Sequence, residues 1–296
     1  MGIYMKNYIN EEICSHCKLC IEVCPCNCIE ANAQDEIIFI AERESICLKC
    51  SQCMAVCPSK AVQIDGVSYS EDLFDLPEYN VNEKEFLNFL SSRRSVRNFK
   101  DKPVPDELIQ KILESVWYAP FGSHPEKVQI TVINNRKKIE ESLPYIAKFM
   151  DGVVSMIESP IASFFTKRIS GKETFNTVKN HLYPISKLGN YKLEYGDRIS
   201  RGAPALIIFH AEKGAEAHTN NSLIYSTYAM LAAHSLGLGA TMIEIISAAI
   251  NRVKEVRNIF QIPEENEAVM SVIIGYPKYK YKRAVKRAMQ EIDWIK

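Results

Sequence analysis

Cys14-Ser-His-Cys17-Lys-Leu-Cys20-Ile-Glu-Val-Cys24-Pro25 is answered further along the chain by Cys47-Leu-Lys-Cys50-Ser-Gln-Cys53-Met-Ala-Val-Cys57-Pro58. Both are C-x2-C-x2-C-x3-C-P runs. The four offsets (47−14, 50−17, 53−20 and 57−24) all equal 33, so the stretch is an internal duplication. Three thiolates spaced two residues apart can wrap one face of a cubane iron–sulfur cluster, and a distant fourth closes the site. Structural zinc usually takes two C-x2-C knuckles with no third cysteine two residues further on. Disulfides need an oxidising compartment, and the opening residues do not read as a secretory leader. Each run ends in a proline, whose fixed φ suits a turn just after the last ligand.

Residues 10–66 resemble a bacterial-type two-[4Fe–4S] ferredoxin domain. In such domains the fourth cysteine of each run serves the other cluster. Cys14, Cys17, Cys20 and Cys57 are thus expected to hold one [4Fe–4S] cluster, and Cys47, Cys50, Cys53 and Cys24 the second. Two cysteines fall outside the pattern. Adding 33 sets Cys26 opposite Ser59 and Cys28 opposite Ala61, so Cys28 is expected in a small buried slot. Short strands are expected at Ile37–Ile40 and Ala61–Ile64. Apolar burial alone cannot stabilise so small a core, and loss of the clusters should unfold it.

With 296 residues, the chain has room for more than this module. Its 47% hydrophobic and 24% charged residues are ordinary for a globular protein. Formal net charge is zero, so no global field attracts nucleic acid or an anionic membrane. No apolar run has the length of a membrane span. Ten cysteines point to a reducing cytoplasm.

The expected organisation is a two-cluster domain at 1–66, an acidic linker at 67–84 and a larger domain at 85–296. Asn82, with Glu85 three residues on, reads as a capping box opening a helix. Phe86, Leu87, Phe89 and Leu90 supply its apolar face. Pro105 at the first helical position starts a second helix, with Leu108, Ile109, Ile112, Leu113 and Val116 as its buried stripe. Val128–Ile133 alternates as a strand. The pattern weakens from 136 to 200, where short amphipathic helices are expected, placed to cover a pocket. Ala203–His210 reads as a buried strand. Asn221 is expected to cap a long helix ending at Gly237, and Ser247 another running to about Phe260. Ala268–Ile274 reads as a last central strand.

The run Arg93-Arg94-Ser95-Val96-Arg97-Asn98-Phe99 could be a solvated basic turn or a phosphate cradle. Together with Pro103-Val104-Pro105, Ala119-Pro120, Gly202-Ala203-Pro204, Leu236-Gly237-Leu238-Gly239-Ala240 and Gly275-Tyr276-Pro277, it resembles the nitroreductase family over residues 85–290. The resemblance implies an α+β fold, a central antiparallel or mixed sheet with flanking helices, and FMN bound at a homodimer interface. It implies that Arg93, Arg94, Ser95 and Arg97 hold the FMN phosphate and ribityl chain. Pro120, Phe121, Gly122 and Ser123 would lie against the ring, and Met242, Ile243, Glu244 and Ile245 would present backbone groups to it. Among Lys282, Arg283 and Arg287, Arg283 is favoured as the basic residue returning to the phosphate. The chain departs from the family in having His124 and Glu126 where Asn and Gln are usual.

No G-x-G-x-x-G follows a strand, so no Rossmann nicotinamide domain is indicated. The combination implies an FMN-dependent oxidoreductase fed through two [4Fe–4S] clusters by a low-potential donor such as ferredoxin. Electrons would leave to a small organic acceptor: a nitroaromatic, a quinone or an activated alkene. The alternative is an electron-transfer carrier that docks between protein partners and has no small-molecule substrate.

Overall fold

A computed structural model describes residues 7–286 and 291–295. The chain divides into two compact units, Met1–Val81 and Asn82–Lys296.

The first unit is built from two small antiparallel pairs. β1 (Tyr8–Ile9) pairs with β4 (Val62–Gln63), and β2 (Ile29–Ala31) pairs with β3 (Ile37–Phe39). Between them stand two single-turn helices, α1 (Leu19–Glu22) and α2 (Gln52–Val56). The core is a handful of apolar side chains, Ile29, Ile37, Met54, Val62 and Ile64, with Cys20 and Cys53 among them. Val67, Tyr69 and Leu73, from the acidic stretch read as a linker, pack on this core. The Tyr69 hydroxyl donates to the Met54 carbonyl at 3.2 Å.

The second unit is a four-stranded antiparallel sheet between two helical layers, in the order β5 (Val128–Ile133), β6 (Ala205–Glu212), β8 (Asn266–Gly275), β7 (Gly239–Met242). Side chains alternate across the pleat. Leu206, Ile208 and Ile273 face one layer, formed by α5 (Arg136–Glu158), α10 (Glu244–Ile250) and α11 (Lys254–Phe260). Ala205, Ile207, Phe209, Val272 and Ile274 face the other, formed by α4 (Asp106–Val116) and α9 (His218–Ser235). β6 and β8 are covered on both sides, hence their nearly continuous apolar sequences. The α+β architecture is that expected from the resemblance. Among the described residues no helix is long and apolar enough to cross a membrane.

Helix α3 (Glu83–Ser92) opens with the capping box at Asn82 and Glu85, but its apolar residues Phe86, Leu87 and Leu90 are exposed. Other boundaries differ from expectation. Pro105 is the N-cap of α4 rather than its first helical residue. The region read as short helices begins with α5, 23 residues long, which runs through Pro144. Its buried residues Ile139, Leu143, Ile146, Met150 and Val153 keep helical spacing, and the first three pack in the core with Leu206, Ile208 and Ile273 of the sheet. Shorter helices α6 (Pro160–Ser170), α7 (Lys172–Thr177) and α8 (Tyr183–Lys187) follow. Asn221 does not cap α9. That helix starts at His218 after Ala217, and Asn221 lies inside it, fully buried. Ser247 likewise lies inside α10, its hydroxyl 2.6 Å from that of Ser271, and α10 and α11 are separate helices. In both cases the polar side chain serves a tertiary bond instead of a helix end.

Candidate functional site

In the first unit two small cavities are each lined by a complete set of four cysteines. Cys14, Cys17, Cys20 and Cys57 surround one. Cys24, Cys47, Cys50 and Cys53 surround the other, with Cys26 and Cys28 beside them. The duplication extends to the backbone. His16 and Lys18 have positive φ, and so do Lys49 and Ser51, their counterparts 33 residues on. Left-handed residues alternating with ordinary ones are the backbone pattern of anion-binding nests. The crossing cysteines match as well: Cys24 Sγ accepts the Cys28 N–H at 3.2 Å, and Cys57 Sγ accepts the Ala61 N–H at 3.3 Å. Backbone donors on ligand sulfurs are a usual outer shell for thiolate-bound iron.

Burial raises the pKa of Cys20 and Cys47, and neighbouring thiols add to it. Burial carries Cys53 up to about 12. At Cys57 burial also pushes upward, but the Ser59 hydroxyl and the amides around Ala61 outweigh it, and the pKa lies below its ordinary value. Cys28 occupies a buried slot, as Ala61 does, and its Sγ donates to the Arg43 carbonyl at 3.3 Å.

In the second unit, residues 93–99 are laid along the sheet edge. Ser95 bridges to Ala240, and the Val96 N–H donates to the Ala240 carbonyl at 3.1 Å. Gly239 makes this approach possible, since a Cβ there would sit 2.6 Å from Val96. The strand end beyond β8 returns alongside: the Lys278 N–H donates to the Asn98 carbonyl at 2.9 Å, and the Lys100 N–H to Tyr276 at 2.8 Å. The result is a cavity of about 560 Å³ lined by Arg93, Arg94, Lys100, Lys278 and Lys280, together with His234, Leu238 and Tyr276. Among the described residues no carboxylate lines it. Burial and the nearby Arg93 lower the pKa of His234, whose Nε2 lies 2.8 Å from Ser92 Oγ. Lys278 and Lys280 supply the C-terminal cations here. Arg283 is exposed and does not line the cavity, and Arg287 lies outside the described residues.

Arg97 joins Arg198 and Arg201 instead, two residues the sequence reading did not single out. Burial lowers the pKa of Arg201, and repulsion from Arg97 and Arg198 lowers it further. Its buried Nε has no hydrogen-bond partner among the described residues. The nearest acid, Asp197, is engaged elsewhere: it accepts from the amides of Ile199, Ser200 and Gly202 and from the Ser200 hydroxyl. The charges of Arg97 and Arg198 thus reach Arg201, and such positive potential favours an anion nearby.

Pro120, Phe121, Gly122 and Ser123 form a loop clamped by Asn221. Its Oδ1 accepts the Gly122 N–H at 2.7 Å, and its Nδ2 donates to the Ser123 carbonyl at 3.3 Å. His124 follows with φ of 55°, and its Nδ1 lies 3.1 Å from Glu126. Burial pushes the Glu126 carboxyl up, but its own amide and His124 outweigh this, and the pKa falls. The loop lines neither the cationic cavity nor a second, largely apolar cavity of about 460 Å³. That second cavity is lined by Glu244 and Ile245 together with Phe149, Val153, Phe175 and Arg252. Met242 ends β7, and the Ile243 N–H donates to the Ser271 carbonyl at 2.8 Å.

Residues 90–276, which contain this helix-flanked antiparallel sheet, match the family model of the nitroreductases, a class of α+β oxidoreductases. The chain belongs to the nitroreductase family. Among known relatives, the FMN reductase [NAD(P)H] of Bacillus subtilis is 23% identical over 193 residues, covering 65% of this chain and 66% of that protein. An FMN-bound nitroreductase structure from Desulfitobacterium hafniense has a TM-score of 0.54 at 22% identity, covering 73% of this chain and 100% of that one. Another, from Bacteroides fragilis, has a TM-score of 0.51 at 23% identity, covering 72% of this chain and 100% of that one. At these identities the two structures speak to the fold.

Proposed function

We propose that this chain is an iron–sulfur flavoprotein oxidoreductase that passes electrons from a low-potential donor, such as a ferredoxin, through two [4Fe–4S] clusters to FMN. From there they go to a small organic acceptor, a nitroaromatic, quinone or activated alkene. The observation that carries the reading is the pair of four-cysteine cavities, each drawing one ligand from the opposite run, in the same chain as a nitroreductase unit. The third cysteine of each run, the crossing fourth ligand and the backbone N–H donated to each crossing sulfur suit a cubane better than a single zinc ion.

The cavity around Arg93 and Arg94 supports FMN, because five cations without a counter-carboxylate match a phosphate dianion. The trio Arg97, Arg198 and Arg201 adds a second positive region, suited to the negative charge a flavin gains on reduction. Bound FMN would supply hydride chemistry, and the chain's part is to hold it, balance its charge and give the acceptor room. The 460 Å³ cavity lined by Glu244 and Ile245 provides such room, which favours an enzyme over a carrier without substrate. Membership of the nitroreductase family supports a homodimer, in which a second copy would complete the site. The thiol-rich first unit fits a reducing cytoplasm.

The test is to replace Cys17 or Cys50 with serine. Ferredoxin-linked turnover should be abolished, while FMN reduction by dithionite survives. Equal loss of both, or full rates with NAD(P)H and none with reduced ferredoxin, would remove the clusters from the pathway.

A further inference from the structure

The two cysteine sites come from one duplication, so a difference between counterpart positions is what can make them unequal. Much is matched. Each crossing cysteine takes a backbone N–H, from Cys28 at 3.2 Å or from Ala61 at 3.3 Å. Each site also has an exposed ion pair close by, Lys18 with Asp35 at 2.7 Å and Lys49 with Asp65 at 3.0 Å.

Apart from Lys18, which is paired with Asp35 and stands opposite Ser51, three things differ. Two residues after the crossing cysteine stands Ser59 in one half and Cys26 in the other, and the Ser59 Oγ lies 3.7 Å from Cys57 Sγ. A thiolate bound to iron has no proton, so in the loaded site the hydroxyl is the donor. Ser15 lines one cavity where its counterpart Leu48 lines the other. Finally, Cys17 is exposed whereas Cys50 is half-buried.

All three act in one direction. Adding an electron makes a cluster more negative. Donors on its sulfurs and access to water stabilise that state and raise the potential, whereas apolar walls and weak thiol donors do the opposite. Resting on the two-cluster reading above, we infer that the clusters are not equipotential: the one on Cys14, Cys17, Cys20 and Cys57 takes the electron first, with Ser59 setting the order through Cys57. A one-electron donor of the ferredoxin class loses one electron and the cluster pair gains it. No bond forms and no proton is needed. The first electron settles on the Cys57 cluster and only the second occupies the Cys24 cluster.

The experiment uses the full chain purified anaerobically, with iron counted and a potentiometric titration followed by electron paramagnetic resonance. Eight irons and two separate one-electron waves are expected. Ser59→Ala should lower the upper wave alone, shifting electron sharing about tenfold, ~59 mV for a one-electron couple. Cys26→Ser should raise the lower wave alone, and it serves as the independent arm if Ser59→Ala loses iron. Eight irons with a single wave, or a Ser59 or Cys26 variant that moves the wrong wave or neither, overturns the inference and leaves the clusters in place. Fewer than eight irons in the parent protein removes the two-cluster reading and this inference with it.

Discussion

Asn221→Ala tests how the loop expected against the flavin is held. Asn221 is fully buried in α9, and its amide grips the loop twice, at Gly122 N–H (2.7 Å) and at the Ser123 carbonyl (3.3 Å). Alanine removes both bonds. Gly122 is exposed, so water can reclaim its N–H and no full desolvation penalty is added. The loss should therefore be near that of two net hydrogen bonds, about 2 kcal/mol. For a unit of this size that lowers the melting temperature by roughly 4–8 °C. The same change should loosen the flavin, because the loop no longer waits in its bound position. Thermal melting of the FMN-loaded chain and flavin release on dilution are the measurements. Asn221→Asp keeps the acceptor for Gly122 and loses the donor to Ser123, so it should fall between. If Asn221→Ala melts within a degree of the parent and keeps its flavin, the clamp is not what positions the loop.

Gly239→Ala should destabilise by about 1–3 kcal/mol, the usual range for overpacking, because its Cβ would stand 2.6 Å from Val96; chemical denaturation reads this, and a parental midpoint would refute it. Arg201→Met should leave the flavin-free chain as stable or more so, since it relieves repulsion from Arg97 and Arg198 and removes a buried Nε that has no partner among the described residues. The same variant should bind FMN more weakly, and unchanged affinity by fluorescence titration would take that trio out of the flavin site. His210 is buried between Thr131 at 2.9 Å and Asn266 at 2.8 Å, and burial, then Arg257, lowers its pKa. The unfolded chain thus binds the proton first, and stability should fall as pH drops below about 6.5. A melting temperature that is flat from pH 7.5 to 5.5 in the parent and in His210→Gln alike would contradict this.

Local signals in the sequence located many elements well. The Asn82–Glu85 box and the alternation at Val128–Ile133 depend on neighbours a few residues apart, and the structure has both where they were read. Cysteine spacing is equally local: the two expected sets of four fall in separate cavities, one of which Cys26 and Cys28 also line. What was not legible depends on residues far apart in sequence. Asn221 and Ser247 look like caps because helix starts favour those side chains, yet their partners are Gly122 and Ser271. Helix α5 was obscured by Pro144, although its apolar stripe from Ile139 to Val153 was present. Arg198 and Arg201 stand out only once folding brings Arg97, about a hundred positions earlier, beside them. Strands β1 and β2 are too short for alternation to register.

The exchange of one cysteine between the two runs has a consequence for inheritance. Each pocket borrows Cys24 or Cys57 from its sibling, so neither half of the tandem is self-sufficient. Deleting one run would spoil its neighbour too. On the proposed two-cluster reading, the pair is kept or lost as a whole, and specialisation is left to the side chains beside the sulfurs.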